Sequence, residues 1–319
     1  LRIQEGPERH HLSPAVIGVG DGRPFFTESY RDFSIAKERD NFATAIAASI
    51  VPEVTRLRTK EEIELHIAKA HEAFPAWRDE DPLVRSEVLV KAGDLMRQRR
   101  DELCGVVMQE AGKTWREADS EVCEAIDFCD YYARMAPPLF EYERLGEFIG
   151  ELDQQFYQPR GVCAVISPWN FPSAICCGMT VAALVTGNTV LVKPAGQTVG
   201  IAKLICEILW EAGAPKDVLH FVAGPGSIIG SAMVRDPRVA VIAFTGSKGV
   251  GLDILEAAGQ VPPNQPFVKK VVCEMGGKNA IIIDASADLD EAVLGVRQSA
   301  FGYQGQKCSA CSRVIVVDS

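Results

Sequence analysis

Between residues 161 and 244 the sequence alternates two kinds of segment. Short β-branched apolar runs stand at 161–167, 188–193, 218–223 and 239–244, and helix-length segments lie between them at 173–185, 198–212 and 227–235. A strand buried on both faces needs a continuous apolar run, and a parallel partner needs a long crossover, usually a helix. This rhythm restricts the region to an α/β fold of the Rossmann type, a parallel sheet with helices on both faces. A further run at 279–283 precedes DASAD, a helix-start signal, and a helix to about residue 299; RVIVVDS at 313–319 is strand-like.

The segment ahead of the sheet is helical. The spacing predicts a helix from Asp32 to about Ile50, with Phe33, Ala36, Phe42, Ile46 and Ile50 on its apolar face. Thr59 and Glu62 form a capping-box pattern before Ile63, Ile67, Ala70 and Phe74. Further helices are expected at 83–100, 101–110 and 118–134, with a break at Gly112 and a stop at Pro137-Pro138, then a strand pair or arm at 148–157. Residues 1–24, rich in Gly, Pro and His, read as a linker or extended arm.

Several classes of function are set aside. A formal net charge of −10 argues against nucleic acid as the main partner. No apolar run reaches the roughly 18 residues of a membrane helix; the nearest, at 181–192, is broken by Gly187 and Asn188, so no integral membrane segment is expected. Cys104, Cys123, Cys129, Cys176, Cys177, Cys206 and Cys273 read as buried thiols, which fits a reducing compartment. Leu1 is not followed by a signal-peptide pattern, and the strand-like run at 313–319 leaves a two-domain sheet unfinished, so a truncated chain or internal fragment is expected.

Polar groups gather at the ends of the expected strands. Pro225 to Gly230 follows a strand and opens a helix; Gly226 and Gly230 either let a dinucleotide approach the helix N-terminus or serve a tight turn. Phe244, Thr245, Gly246 and Ser247 follow the next strand, and Lys193-Pro194 ends another, where ligands bind in open sheets. Asn170, between Pro168 and Pro172, carries an amide donor for a developing oxyanion or caps a turn. Glu274, beside Gly276 and Gly277, activates a water or thiol or caps an element.

The pair Cys308 and Cys311 admits three readings. Zinc needs four ligands, and no second pair has suitable spacing, since His10 and His11 lie in the arm and His66 and His71 on helices. No metal is therefore expected. A redox pair belongs between a strand and a helix in a much smaller domain. One nucleophilic thiol among Gly, Gln and Ser residues is physically reasonable.

Together PWNFP, KPA, FTGS, EMGGK and GQKC stand in the order and approximate spacing of the NAD(P)-dependent aldehyde dehydrogenase superfamily, which the chain resembles over residues 51–319. Within it, EAIDFCDYYAR, SPWNFPSAI, VPPNQPFVKKVVCEMGGKNAIIID and FGYQGQKCSACSR are most similar to the L-glutamate γ-semialdehyde (1-pyrroline-5-carboxylate) dehydrogenases. FFTESYRDFSIAKERDNFATAIA resembles the lead-in to this domain, including in bifunctional proline-utilisation proteins with an upstream flavin-dependent proline dehydrogenase. The resemblance implies oxidation of that semialdehyde to L-glutamate in proline catabolism, in the cytoplasm (the mitochondrial matrix in a eukaryote), by a homo-oligomer. A different small aldehyde, or a catalytically silent dinucleotide-binding protein of this fold, is the alternative.

By the same resemblance Cys308 is the nucleophile, Asn170 with the Cys308 backbone N–H holds the oxyanion, and Glu274 activates the deacylating water. Lys193 matches the adenosine-ribose residue, Ser247 the pyrophosphate contact, and Gly226 and Gly230 the adenine side. Ser167, Pro168, Trp169, Phe244, Thr245, Gly246 and Gly276 are expected around the cofactor. Phe171, Ser309 and Glu124 are expected around the substrate. Gly196 stands where most relatives have a glutamate that binds ribose hydroxyls, which leaves room for NADP beside NAD. The implied division is 1–50 linker and first helix, 51–271 NAD(P)-binding domain, and 272–319 the start of an α/β catalytic domain. A familiar strand segment near residue 50 and the C-terminal half of that domain are missing from the pattern, so the 319 residues alone are expected to lack robust activity.

Overall fold

The structure, a computed structural model, describes Val19, Gly20, Gly22 and residues 24–318. The arm expected at 1–24, with His10 and His11, lies almost wholly outside the described residues. Helix α1 spans Ala36–Ala48, four residues later than expected. Asp32 Oδ1 accepts the Ser34 N–H at 2.9 Å and Asp32 O accepts the Ile35 N–H at 3.2 Å, a side-chain turn that competes with the helix. Ile50, expected on the apolar face, is 79% exposed beyond its end.

Helix α2 spans Lys60–Arg78 behind the expected Thr59–Glu62 capping box. Helix α3, Pro82–Gln98, starts on Asp81, whose carboxylate accepts the Leu83 N–H at 2.8 Å. Helix α4, Arg100–Ala111, stops at Gly112 in the left-handed region at φ 66°. Helix α5, Trp115–Met135, begins three residues before the expected Ala118, because Thr114 and Glu117 form a second capping box. Strands β1, Glu143–Arg144, and β2, Gln154–Gln155, form a short antiparallel hairpin; β2 falls within the 148–157 expected for an arm or strand pair, and β1 lies ahead of it.

The alternation then emerges as strand β3 (Val162–Ile166), helix α6 (Ala174–Val185), strand β4 (Thr189–Lys193), helix α7 (Val199–Ala212) and strand β5 (Leu219–Phe221). It continues with helix α8 (Ser231–Arg235), strand β6 (Val239–Thr245), helix α9 (Lys248–Gly259) and strand β7 (Lys270–Glu274). The five strands run parallel in the order β5-β4-β3-β6-β7. Because successive side chains point to opposite faces, Cys163 and Val165 pack with Leu89, Ile126 and Ile205 under one layer of helices. Val162, Ala164 and Leu191 pack with Ile63, Ile67 and Ile254 under the other. Each fully buried aliphatic side chain of this kind contributes about 1.5–3 kcal/mol.

The boundary expected after residue 271 falls inside β7, the edge strand of this sheet. Its pattern alternates exposed and half-buried residues, so no continuous apolar run marks it. Cys273, expected to be buried, is half-buried on that edge. Beyond it, strands β8 (Asn279–Ile283) and β9 (Cys311–Val316) pair only with each other, in parallel. Helix α10, Leu289–Phe301, connects them and starts on Asp288, which accepts the Asp290 and Glu291 N–H groups. Among the described residues no helix is long and apolar enough to cross a membrane.

Candidate active site

The chain builds β3, β4 and β5 outward in one direction and then returns to place β6 on the other side of β3. At such a switch point the loops leaving the carboxyl ends of the strands diverge and open a crevice. A cleft of about 1040 Å³ lies there.

The loop after β3 supplies Ser167, Pro168, Trp169 and Asn170 to its lining. The Ser167 N–H donates to Lys193 O at 3.1 Å, tying two strand ends together. Its Oγ is buried and faces the Cys176 thiol. Lys193 ends β4, lines the cleft and donates to Pro194 O at 3.1 Å; burial, then the charge of Arg56, holds its pKa below the usual lysine value. Gly226 and Gly230 line the cleft from a single π-helical turn rather than the start of a regular helix. A Cβ on Gly230 would stand 3.5 Å from Lys193 Cε, whereas one on Gly226 would meet nothing. Outside this end, the Arg56 guanidinium donates to Gly196 O at 2.9 Å, and a Cβ on Gly196 would lie 3.7 Å from its Nη1.

At the end of β6 and just beyond it, Phe244, Thr245, Gly246 and Ser247 all line the cleft. A Cβ on Gly246 would lie 2.6 Å from the Phe244 ring, which would have to shift to admit it. Ser247 caps α9, accepting the Val250 N–H at 3.4 Å. It therefore combines the two roles open to a serine at that place, a helix cap and a hydroxyl on the cleft wall.

Glu274 is the last residue of β7, which excludes the helix-cap reading; its backbone O accepts the Gly246 N–H at 3.0 Å. Its side chain is exposed outside the cleft lining, which Met275, Gly276 and Gly277 form. The close backbone pass expected of these glycines is real at Gly277, where a Cβ would stand 2.7 Å from Cys308 O. Cys308 lines the cleft and is the one exposed thiol of the ten. Cys311 is buried, its Sγ against Arg313 O at 3.1 Å, and among the described residues no group of three or more His, Cys, Asp or Glu side chains could hold a metal. Burial pushes the Cys163 and Cys123 thiols up to about 12, so Cys308 has no accessible competitor among them.

Asn170 reaches Cys308's loop directly, donating through Nδ2 to Gln306 O at 2.8 Å. Three expected substrate groups are not gathered in the same way. Phe171 packs behind the cleft against Tyr303, with ring centroids 6.5 Å apart. Ser309 and Glu124 are exposed and absent from the lining; desolvation, then Glu121, raises the Glu124 carboxyl above its usual range. Sequence reasoning missed Asn279, whose Nδ2 donates to Cys308 O at 2.8 Å and Ala310 O at 3.3 Å. It also missed Lys113, Glu121 and Tyr303. Lys113 and Glu121 are charged residues that no local pattern marks as buried.

The model of the aldehyde dehydrogenase family matches residues 44–319. The chain is 48% identical over 259 residues to the 1-pyrroline-5-carboxylate dehydrogenase of Geobacillus thermodenitrificans (strain NG80-2), covering 81% of this chain and 50% of that protein. The enzyme of the same name from Bacillus cereus (strain ATCC 10987 / NRS 248) is 45% identical over 258 residues, with the same shares covered. The chain thus spans about half the length of the curated relatives it matches. Among solved structures, 1-pyrroline-5-carboxylate dehydrogenase from Thermus with bound NAD superposes with a TM-score of 0.87 at 39% identity, covering 92% of this chain and 64% of that one. Proline utilization A from Bdellovibrio bacteriovorus, inactivated by N-propargylglycine, gives 0.87 at 41% identity, covering 92% of this chain and 34% of that one. The chain belongs to the aldehyde dehydrogenase family.

Proposed function

We propose that the protein oxidises L-glutamate γ-semialdehyde, the open form of 1-pyrroline-5-carboxylate, to L-glutamate with NAD. The observation that carries this reading is the placement of Cys308. It is the accessible thiol, it lies on the cleft, and Asn279, Gly277 and the Asn170–Gln306 hydrogen bond fix its backbone. The names of the relatives support the substrate.

The Cys308 thiolate attacks the aldehyde carbon; the C–S bond forms and the carbonyl π electrons move to oxygen. An amide nitrogen carries two hydrogens. Asn170 uses one on Gln306 O and keeps a second, which with the Cys308 N–H supplies the donor set an oxyanion needs. Glu274 takes a proton from water, whose oxygen attacks the acyl carbon as the C–S bond breaks and the thiolate leaves. For that task Glu274 must turn inward from its exposed position.

The cleft fits a dinucleotide by its own chemistry: the Lys193 side chain at the end of β4 and the N-terminus of α9 at Ser247, both on the cleft wall. A bound NAD would supply the acceptor for the hydride that leaves the thiohemiacetal carbon. Ser167, Lys193, Gly226, Gly230 and Ser247 would hold it, with Pro168, Trp169, Phe244, Thr245, Gly246 and Gly276 around it. The Arg56 guanidinium beside Gly196, with no carboxylate at that position, leaves room for NADP. Phe171, Ser309 and Glu124 would complete the substrate end. Ten free cysteines favour a reducing compartment, the cytoplasm. The exposed Phe148, Ile149 and Leu152 in the β1–β2 hairpin favour a homo-oligomer. The likeness to proline utilization A makes an upstream proline dehydrogenase a fitting partner.

The test follows NADH and NADPH formation by the complete gene product with 1-pyrroline-5-carboxylate and a panel of other aldehydes. Turnover with 1-pyrroline-5-carboxylate that disappears in Cys308→Ser is expected. Equal activity of that variant would sink the mechanism, and preference for another aldehyde would sink the substrate.

A further inference from the structure

Lys113 sits between the left-handed Gly112 that ends α4 and the Thr114 cap that starts α5. A lysine at a helix junction ordinarily reaches water, yet this side chain is 1% exposed. Its ammonium lies 2.6 Å from Glu121 Oε2, 3.8 Å from the centroid of the Phe171 ring and 4.6 Å from that of Tyr303. Glu121 is held in turn: its Oε1 accepts the Ser173 N–H at 2.7 Å and the Ala174 N–H at 3.3 Å, at the start of α6. A desolvated cation over two ring faces attracts both, because each ring presents the negative side of its quadrupole.

The two rings belong to the two loops that must meet. Phe171 follows Asn170. Tyr303 anchors the segment ahead of Cys308 in an unusual conformation, with φ 48° at Tyr303 and 52° at Gln304. Non-glycine residues adopt that region in succession only where the surroundings impose it. Here the Tyr303 N–H donates to Glu117 Oε1 at 2.7 Å and its hydroxyl to Ala111 O at 2.5 Å. Gln306 then donates to Tyr303 O at 2.9 Å, and Gln306 O accepts from Asn170.

We infer that Lys113, with Glu121 as its counter-ion, is a positioning residue that fixes the spacing between the Asn170 amide and Cys308 by holding Phe171 and Tyr303 together. This rests on the reading of Cys308 as nucleophile and Asn170 as oxyanion donor. A methionine of similar volume would fill the space without pulling on both ring faces.

Two reactions of Cys308 in the complete gene product separate positioning from mere accessibility. p-Nitrophenyl acetate passes its acetyl group to the thiolate through an oxyanion, with loss of p-nitrophenolate. Iodoacetamide alkylates the thiolate by displacing iodide and needs no oxyanion. The doubly neutral variant Lys113→Met/Glu121→Gln avoids an unpaired buried charge. In it we expect acylation to fall by about 10- to 100-fold while alkylation stays near the starting rate, with Lys113→Arg retaining much of the acylation. Tyr303→Leu, which leaves the ion pair and removes one ring, is expected to reproduce the loss, and Tyr303→Phe to spare it. A folded double variant acylated at the starting rate overturns the inference, as does undiminished acylation of Tyr303→Leu should the double variant not fold. Acylation that survives Cys308→Ser overturns the nucleophile reading itself, and the positioning role with it.

Discussion

In the mechanism proposed above, the Asn170 amide divides its two hydrogens between two tasks, one structural and one chemical. The hydrogen bond to Gln306 O at 2.8 Å couples it to the loop of Cys308, and the remaining N–H is the one proposed for the oxyanion. Asn170→Ala removes both, so the acylation rate should fall by about 100- to 1000-fold, the usual cost of an oxyanion donor. Asn170→Asp keeps the size and reverses the electrostatics, and should not restore the rate. Single-turnover kinetics would measure this, and a loss confined to KM would contradict it. Gly277 makes a second claim at this scale. The Cβ of Gly277→Ala would stand 2.7 Å from Cys308 O, closer than real Cβ contacts, so the Cys308 backbone must shift. A displacement of about 1 Å costs up to roughly 100-fold in rate. Activity should therefore drop while the thermal midpoint, set by the buried sheet, moves little; unchanged kcat would show that the loop yields elsewhere.

Helix α2 meets strand β5 through two imidazoles, His66 and His220, whose Nδ1 atoms stand 3.1 Å apart. His220 Nε2 lies 3.0 Å from Asp217 O, a carbonyl that only accepts, so Nε2 carries the hydrogen and the neutral Nδ1 accepts from His66. Burial, the largest cause for both, holds the two pKa values below the ordinary imidazole value; Lys69 acts in the same direction on each, Glu62 opposes it at His66 and Asp217 at His220. An imidazole depressed in the folded state stabilises the fold above its unfolded value of about 6.5 and loses that stability as pH falls toward the folded value. The thermal midpoint should therefore drop between about pH 7 and 5, and His66→Gln/His220→Gln should flatten that part of the profile. A profile unchanged by the double substitution would assign the loss to other groups. None of this pairing was legible in the sequence, since the partners are 154 residues apart. The strands of the sheet were legible because burial on both faces demands continuous apolar runs. β7 was not, because an edge strand alternates, and the start of α1 was not, because the Asp32 side chain satisfies the backbone locally. Thr59 at the start of α2 was readable, since a capping box lies within four consecutive residues.

Across the whole molecule, short-range patterns located the strand-end loops, the thiol and the glycines, whereas their mutual contacts depend on chain returns that no local window contains. Asn170 touches Gln306 across 136 residues, and Tyr303 touches Glu117 across 186. The same long returns leave the two sheets unequally closed. The five-stranded sheet is covered on both faces, but α10 buries no residue, and Leu289, Val293, Leu294 and Phe301 on it are exposed with Ile282 of β8 and Val314, Ile315 and Val316 of β9. A two-stranded sheet is marginal without further packing, and contiguous exposed apolar surface of this kind favours association. The 319-residue chain prepared by itself should therefore bind an apolar fluorescent dye and self-associate in light scattering. Leu289→Glu/Val293→Glu should reduce both effects while leaving NAD binding at the cleft, which α10 does not line, unchanged. Its turnover should fall well short of that of the complete gene product, because α10 and β9 bracket the segment that carries Cys308 and their outer faces lack support. A monodisperse chain with no dye binding and full turnover would show instead that β8, α10 and β9 are stable with their apolar side chains in water.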